Sequence, residues 1–173
     1  MRREELQSES MQQQWDFYER AINNYSIIMR IMSSVEDGLL VSNIPKAFVE
    51  ESFFDMCKIM VDDNGIIRQG LYSIDDTLSD LDFTSIAMLN NGAGASSLID
   101  DVFGYGILYL YPLKKDLRII GYIVLGKRYS MEIEMKLHRE LEIVCDIYNK
   151  SLLLSDNGRR REMHAKATLE IAL

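Results

Sequence analysis

Residues 105–128 read YGILYLYPLKKDLRIIGYIVLGKR, and this stretch decides the fold. Its first part, Tyr105 to Pro112, and its last part, Leu117 to Arg128, are rich in β-branched and aromatic residues, which favour strands. Polar residues between them predict a turn from Leu113 to Asp116. The stretch therefore predicts an antiparallel hairpin.

A second hairpin is predicted upstream. Phe53 to Val61 is apolar, and a second strand-like run returns from Ile66 to Ile74. The two runs flank Asn64-Gly65, and an Asn-Gly pair in this position is the strongest short-range signal for a tight hairpin turn. Between the two hairpins, Ser79 is predicted to cap a short helix, and residues 90–97 (NNGAGASS) are predicted to form a loop.

Helices are predicted on both sides of the hairpins. The first spans about residues 4–35 and is stopped by Asp37-Gly38. Pro45 is predicted to open a short helix that ends near Glu51. Ser130 is predicted to cap the last long helix, which residues 155–158 weaken or bend. The resulting fold class is α+β: an antiparallel β-sheet with long N- and C-terminal helices packed on one face.

Two segments of the sequence resemble the GAF domain family. They are residues 109–113 (YLYPL) and 120–126 (IGYIVLG), and a helix follows from Ser130. Residues 35–41 (VEDGLLV) resemble the opening of a PAS domain, which is the runner-up family. The GAF resemblance covers about residues 22–155. It implies a sensory domain there, a signalling and dimerisation helix over residues 1–21, and a connector helix over residues 156–173 that leads to a covalently linked output domain.

The charge balance opposes binding to nucleic acid or to an anionic membrane surface. Lys and Arg total 19 and Asp and Glu total 27, a formal charge of −8, and a negative field repels phosphates. Cys57 and Cys145 are too few for a disulfide framework, which is typical of a reducing cytoplasm. No apolar run approaches the roughly 20 residues that cross a bilayer. A cytoplasmic location is therefore expected.

A ligand pocket is predicted on the strands. In a GAF-like fold the ligand is expected between the sheet and the segment from about Asp75 to Phe103. Tyrosine combines an apolar ring with a polar tip, which suits small-molecule sites. The candidate lining residues are Tyr72, Tyr109, Tyr111 and Tyr122. The identity of a ligand or cofactor is left open by the sequence, and the two histidines, His138 and His164, do not favour a metal site.

Pairing with a second copy is predicted from the terminal helices. Apolar residues from Met11 to Met32 alternate at spacings of four and three, the pattern of a narrow helix–helix stripe. The sheet is expected to cover this stripe from about Tyr25 onward, so the earlier positions need a partner, most simply in a two-fold dimer. The predicted interface comprises Met11, Trp15, Tyr18, Ile22, Leu141, Val144 and Tyr148.

The sequence therefore favours a regulatory sensory domain of a bacterial-type signal-transduction protein. It would bind a small molecule or sense a partner and pass the signal through paired helices. The alternatives are a ligand-free dimerisation module and a small enzyme that depends on Cys57. Family members that reduce free methionine sulfoxide use paired cysteines, whereas Cys145 falls inside a predicted helix. For this reason the chain is expected not to be an enzyme.

Overall fold

A computed structural model describes residues 22–74 and 81–172. Helix α1 (Asn24–Asp37) begins where the side chain of Asn23 accepts a hydrogen bond from the backbone N–H of Ser26. It ends at Gly38, whose φ of 69° places it in the left-handed region that favours glycine. The predicted stop at Asp37-Gly38 is thus confirmed. The part of the first predicted helix before residue 22 lies outside the described residues.

Helix α2 (Leu40–Glu50) corrects the role predicted for Pro45, which lies inside the helix and does not open it. Proline lacks the N–H that would bond the carbonyl four residues earlier, here that of Val41. This carbonyl lies against β-strand residue Gly70, where an added Cβ would come within 1.9 Å of its oxygen. The absent side chain at Gly70 lets the helix sit directly on the sheet, and its buried apolar side chains offset the cost of the proline.

The sheet has five strands in the spatial order β2-β1-β5-β4-β3, and every neighbouring pair is antiparallel. Because β5 returns to lie beside β1, the two predicted hairpins join into one sheet. The strands are β1 (Met56–Asp63), β2 (Ile66–Ser73), β3 (Ser97–Val102), β4 (Tyr105–Lys115) and β5 (Arg118–Lys127).

The hairpin from β4 to β5 turns later than predicted. Its turn lies at Asp116, whose φ is 57°, so Leu113 and Pro112 belong to β4. Strand β3, which was not predicted, pairs with β4 only from Ser97, opposite Leu110. Beyond that point no strand among residues 22–74 and 81–172 pairs with the outer edge of β4. Pro112 is tolerated there because an edge strand does not need every N–H.

Two further helices complete the described part of the chain, α3 (Phe83–Asn90) and α4 (Met135–Ala172). The cap of α3 is Asp82, whose carboxylate accepts a hydrogen bond 2.7 Å from the Ser85 nitrogen. Ser79, the predicted cap, lies outside the described residues. Helix α4 starts five residues after Ser130 and runs on through residues 155–158. Its start is late because Met131 and Ile133 pack against the core before the helix begins.

The sheet separates two apolar cores, which confirms the predicted α+β class. On one face α1, α2 and α4 pack against alternate strand residues such as Ile59 and Ile123. On the other face a smaller core, which includes Met60 and Val124, is closed by α3 and Leu81. Among the described residues, no helix is both long enough and apolar enough to cross a membrane.

Candidate functional site

A half-open cavity of about 400 Å³ lies where β4 extends past the start of β3. The loop of residues 94–96 forms one wall, the end of β4 forms the floor, and α4 forms the opposite wall. Its volume falls in the range of small-molecule sites. The lining residues are Gly94, Ala95, Ser96, Tyr111, Pro112, Lys114, Glu142, Asp146, Asn149 and Lys150.

Helix α4 supplies four polar side chains to this cavity. One turn of the helix separates Glu142 from Asp146, and one turn separates Asp146 from the neighbouring pair Asn149 and Lys150. All four therefore lie toward one side of the helix. The sequence analysis did not single out these four residues. Their signal was the polar residues that follow or precede the apolar positions Leu141, Val144 and Tyr148 of the helix.

Asn149 fixes α4 to the floor of the cavity. Its side-chain oxygen accepts a hydrogen bond from the Lys114 N–H at 2.7 Å, and its amide donates to the Lys114 carbonyl at 2.8 Å. Lys114 lies next to the irregularity in the β4–β5 register at Leu113. The buried amide thus satisfies both backbone groups at a point where the ladder is disturbed.

Ser96 joins the loop to α4. Its hydroxyl donates to Glu142 Oε1 at 2.6 Å and lies 3.1 Å from His138 Nε2. Since its single hydrogen goes to Glu142, the imidazole is the donor in the second contact. A catalytic triad has a different arrangement, in which histidine accepts the serine proton and the carboxylate binds the other imidazole nitrogen. These contacts position the loop.

Two tyrosines, Tyr111 and Tyr109, lie near the cavity. The Tyr111 hydroxyl donates to Asp146, and burial, together with this hydrogen bond, raises the pKa of Tyr111 well above its usual value. Burial also raises the pKa of Tyr109. Both phenols therefore stay protonated at neutral pH and can act as hydrogen-bond donors.

The four predicted pocket tyrosines are not brought together. Tyr109 is buried in the core on the helical face of the sheet, and Tyr111 alone lines the cavity. Tyr72 is half-buried elsewhere on the same face, with the Lys46 ammonium 5.9 Å from its ring centre. Tyr122 lies on the other face, edge-on to Phe83 at 5.5 Å. Because strand side chains alternate between faces, Tyr122 could not share a site with the other three.

The predicted dimer interface on α4 is wrong. Leu141, Val144 and Tyr148 are fully buried in the core of their own chain and cannot reach a partner. Ile22 is half-buried and packs against the same core. Met11, Trp15 and Tyr18 lie outside the described residues.

A different apolar surface faces outward. On α1, Ile27 and Ile31 face the core, and the opposite side of the helix carries large exposed apolar residues. The expectation that the sheet covers the stripe from Tyr25 onward is therefore wrong. Helix α4, which packs against α1, carries two more such residues. The exposed stripe consists of Tyr25, Met29, Met32, Ile143 and Leu154.

Both cysteines are fully buried. Burial raises the pKa of the Cys57 thiol, and the neighbouring Cys145 adds to this effect. Burial likewise raises the pKa of Cys145, with further contributions from Asp146 and Glu142. Nucleophilic attack requires the thiolate, so neither thiol is prepared for that chemistry.

One buried cation went unnoticed in the sequence. Lys58 points to the α3 face of the sheet and donates to the Leu81 carbonyl. Only 7% of it is exposed, an unusual state for lysine. The run MCKIMV, apolar on both sides of Lys58, was the available signal. Among the described residues, no cluster of three or more metal-binding side chains occurs.

Solved structures of low sequence identity share this fold. Free methionine-R-sulfoxide reductase from Neisseria meningitidis, in complex with its substrate, matches with a TM-score of 0.60 at 14% identity, over 78% of this chain and 91% of that one. A phycocyanobilin-bound GAF domain from a cyanobacterial phytochrome matches at 0.59 and 14%, over 78% and 96%. The GAF domain of an Acinetobacter phosphoenolpyruvate-protein phosphotransferase matches at 0.56 and 8%, over 81% and 99%.

These similarities define the class of protein: the chain has a GAF-like fold, as the resemblance in the sequence predicted. No protein-family model and no curated protein sequence matches it.

The same structures correct the expectation that the chain is not an enzyme. Proteins of this fold include reductases as well as chromophore-binding and other GAF domains. The fold is therefore compatible with catalysis, and the position of the cysteines in the sequence was too narrow a basis for excluding it.

Proposed function

We propose that this chain is a regulatory sensory domain that works as a homodimer, in which α1 and α4 of two copies pair and pass on a signal. A small molecule bound in the cavity on α4 is the proposed input. The GAF-like fold supports this role, and the two free cysteines support a cytoplasmic location.

The exposed stripe is the observation that carries the proposal. Five large apolar residues on two adjacent helices are exposed, and on each helix these residues share one side. Tyr25, Met29 and Met32 also continue the alternating four-and-three spacing that begins at Met11. On α1, this spacing is typical of a helix that pairs with another helix along one side. A second copy supplies an identical surface, which fits a two-fold interface.

Sedimentation of the chain tests the pairing. We expect wild-type protein to sediment at twice the chain mass of 20.0 kDa. A Tyr25→Glu, Met29→Glu variant places four carboxylates in the proposed interface of the dimer and should sediment as a monomer, because buried unpaired charges oppose association.

The matched control is Met88→Glu, which changes an exposed methionine on α3, outside the stripe. It should leave the dimer intact. A wild-type monomer, or a double variant that keeps the wild-type mass, would refute the proposal.

A ligand-free dimerisation module is the alternative that keeps the pairing. It predicts that no small molecule changes the melting temperature, whereas binding to the folded state raises it. The dependence on Cys57 has its own test: a Cys57→Ser variant should keep the dimer and any ligand response, because this buried thiol faces the core and not the cavity.

A further inference from the structure

We propose that the cavity on α4 binds a small zwitterion, of the free amino acid class, with its ammonium group toward Glu142 and Asp146 and its carboxylate toward Lys114 and Lys150. The inference extends the proposed function, because it names the input that the sensory domain would recognise.

The charges of the cavity are balanced and separated. Two carboxylates and two ammonium groups line it. Within the described part of the chain, neither Lys114 nor Lys150 forms an ion pair with Glu142 or Asp146. Opposite charges that line one cavity without pairing can each bind a group of the opposite sign on a ligand. A ligand with a single charge would bind the two side chains of opposite charge and would be repelled by the two side chains of the same charge.

Partners beside the cavity hold Glu142, Asp146 and Lys114 in place. Glu142 accepts from Ser96 and lies 3.5 Å from His138 Nε2, and Asp146 accepts from the Tyr111 hydroxyl. Lys114 donates one of its three N–H bonds to the Gly94 carbonyl and keeps two for another acceptor. Each carboxylate likewise has further lone pairs. The site is thus ordered before a ligand arrives, which lowers the entropy cost of binding.

The arrangement along α4 gives the ligand a direction. Glu142 and Lys150 lie eight residues apart, about 12 Å along the helix axis. Asp146 lies midway, and Lys114 approaches from the floor of the cavity. The negative end is beside Ser96 and the positive end is beside Asn149. The ring of Tyr111, which lines the floor, can contact an apolar side chain of the ligand.

The experiment measures binding to the full-length chain by isothermal titration. The probes are the free amino acids, each compared with the amine that lacks its carboxylate and the acid that lacks its ammonium group. At least one amino acid should bind, and both truncated analogues should bind at least tenfold more weakly. Asp146→Asn and Lys114→Met should each weaken the amino acid at least tenfold, because each leaves one ligand charge unpaired.

Glu140→Gln is the matched control, since Glu140 lies on α4 outside the cavity. It should bind as wild type does. Circular dichroism checks that every variant is folded, and amide chemical shifts of residues 94–96 report binding at this site independently of the variants. Lack of binding by every amino acid, equal binding of the amine alone, or shifts confined to other residues would overturn the inference. Sedimentation would still show the dimer in each case, so failure here is distinct from failure of the proposed pairing.

Discussion

At the scale of single residues, Asn149 joins α4 to the end of β4 through two hydrogen bonds. It is the one side chain that bonds both backbone groups of Lys114. An Asn149→Ala variant removes the partner of a half-buried N–H and of a half-buried carbonyl. We expect the free energy of unfolding to fall by about 2 kcal/mol or more. Urea denaturation measures it, and Lys150→Ala, on the adjacent exposed position, should change it by less than about 0.5 kcal/mol. Equal effects of the two variants would contradict this role.

Residue-scale features were predictable where the cause is local. A left-handed backbone at Gly38 and at Asn64-Gly65 follows from neighbouring residues alone, and both turns are as predicted. Gly121 permits a close approach of two strands, because an added Cβ there would come within 2.1 Å of the Met60 carbonyl oxygen. Asn149 was not recognised, because its partner lies 35 residues away in the chain.

At the scale of elements, the N-terminus of α3 makes stability depend on pH. The backbone and side-chain hydrogen bonds from Ser85 lower the pKa of Asp82 below its ordinary value. A lowered pKa in the folded state means that the ionised form stabilises the fold. This contribution is complete above the unfolded-state pKa of about 3.9 and is lost as the pH falls through the folded value.

Asp82→Asn isolates this contribution, because asparagine keeps the acceptor and has no charge. The wild type should melt at a higher temperature than the variant at pH 7, and the difference should shrink below about pH 4. A difference that stays constant down to pH 2.5 would show that the charge at the cap is irrelevant.

Elements were harder to predict where pairing decides them. Strand β3 reads SLIDDV, and its two aspartates favour a turn, yet the exposed edge of β4 makes it a strand. Helix α2 begins before its proline, and the Val41 carbonyl, to which Pro45 cannot donate, lies against Gly70 of the sheet. In both cases packing or pairing with another element decides the boundary, so local propensity gave the wrong one.

At the scale of the whole molecule, pairing should make stability depend on protein concentration. If two copies bury the exposed stripe in the folded state, mass action raises the melting temperature as concentration rises. Scanning calorimetry over a hundredfold range of concentration should show this rise for wild type and for Met88→Glu. The Tyr25→Glu, Met29→Glu variant should melt at a constant temperature, and a constant value for wild type would argue for a monomer.

Which side of each helix faces the core could not be read from the sequence. Helix α1 has two apolar sides, one with Ile27 and Ile31 and one with Tyr25, Met29 and Met32. Helix α4 has the same ambiguity between Val144 and Ile143. The spacing identified apolar stripes correctly but could not assign them, because burial depends on where the sheet lies.

Helix α4 bears the cavity on one side and the exposed stripe on the next, and Glu142 and Ile143 are consecutive residues about 100° apart around its axis. Because α4 is one continuous helix, a rotation that moves its cavity side also moves the side that carries Ile143. By reciprocity, a ligand that strengthens association tenfold must itself be held ten times more tightly by the associated form. Occupancy would then rise with the amount of protein in the cell, and the domain would report its own abundance together with that of its ligand.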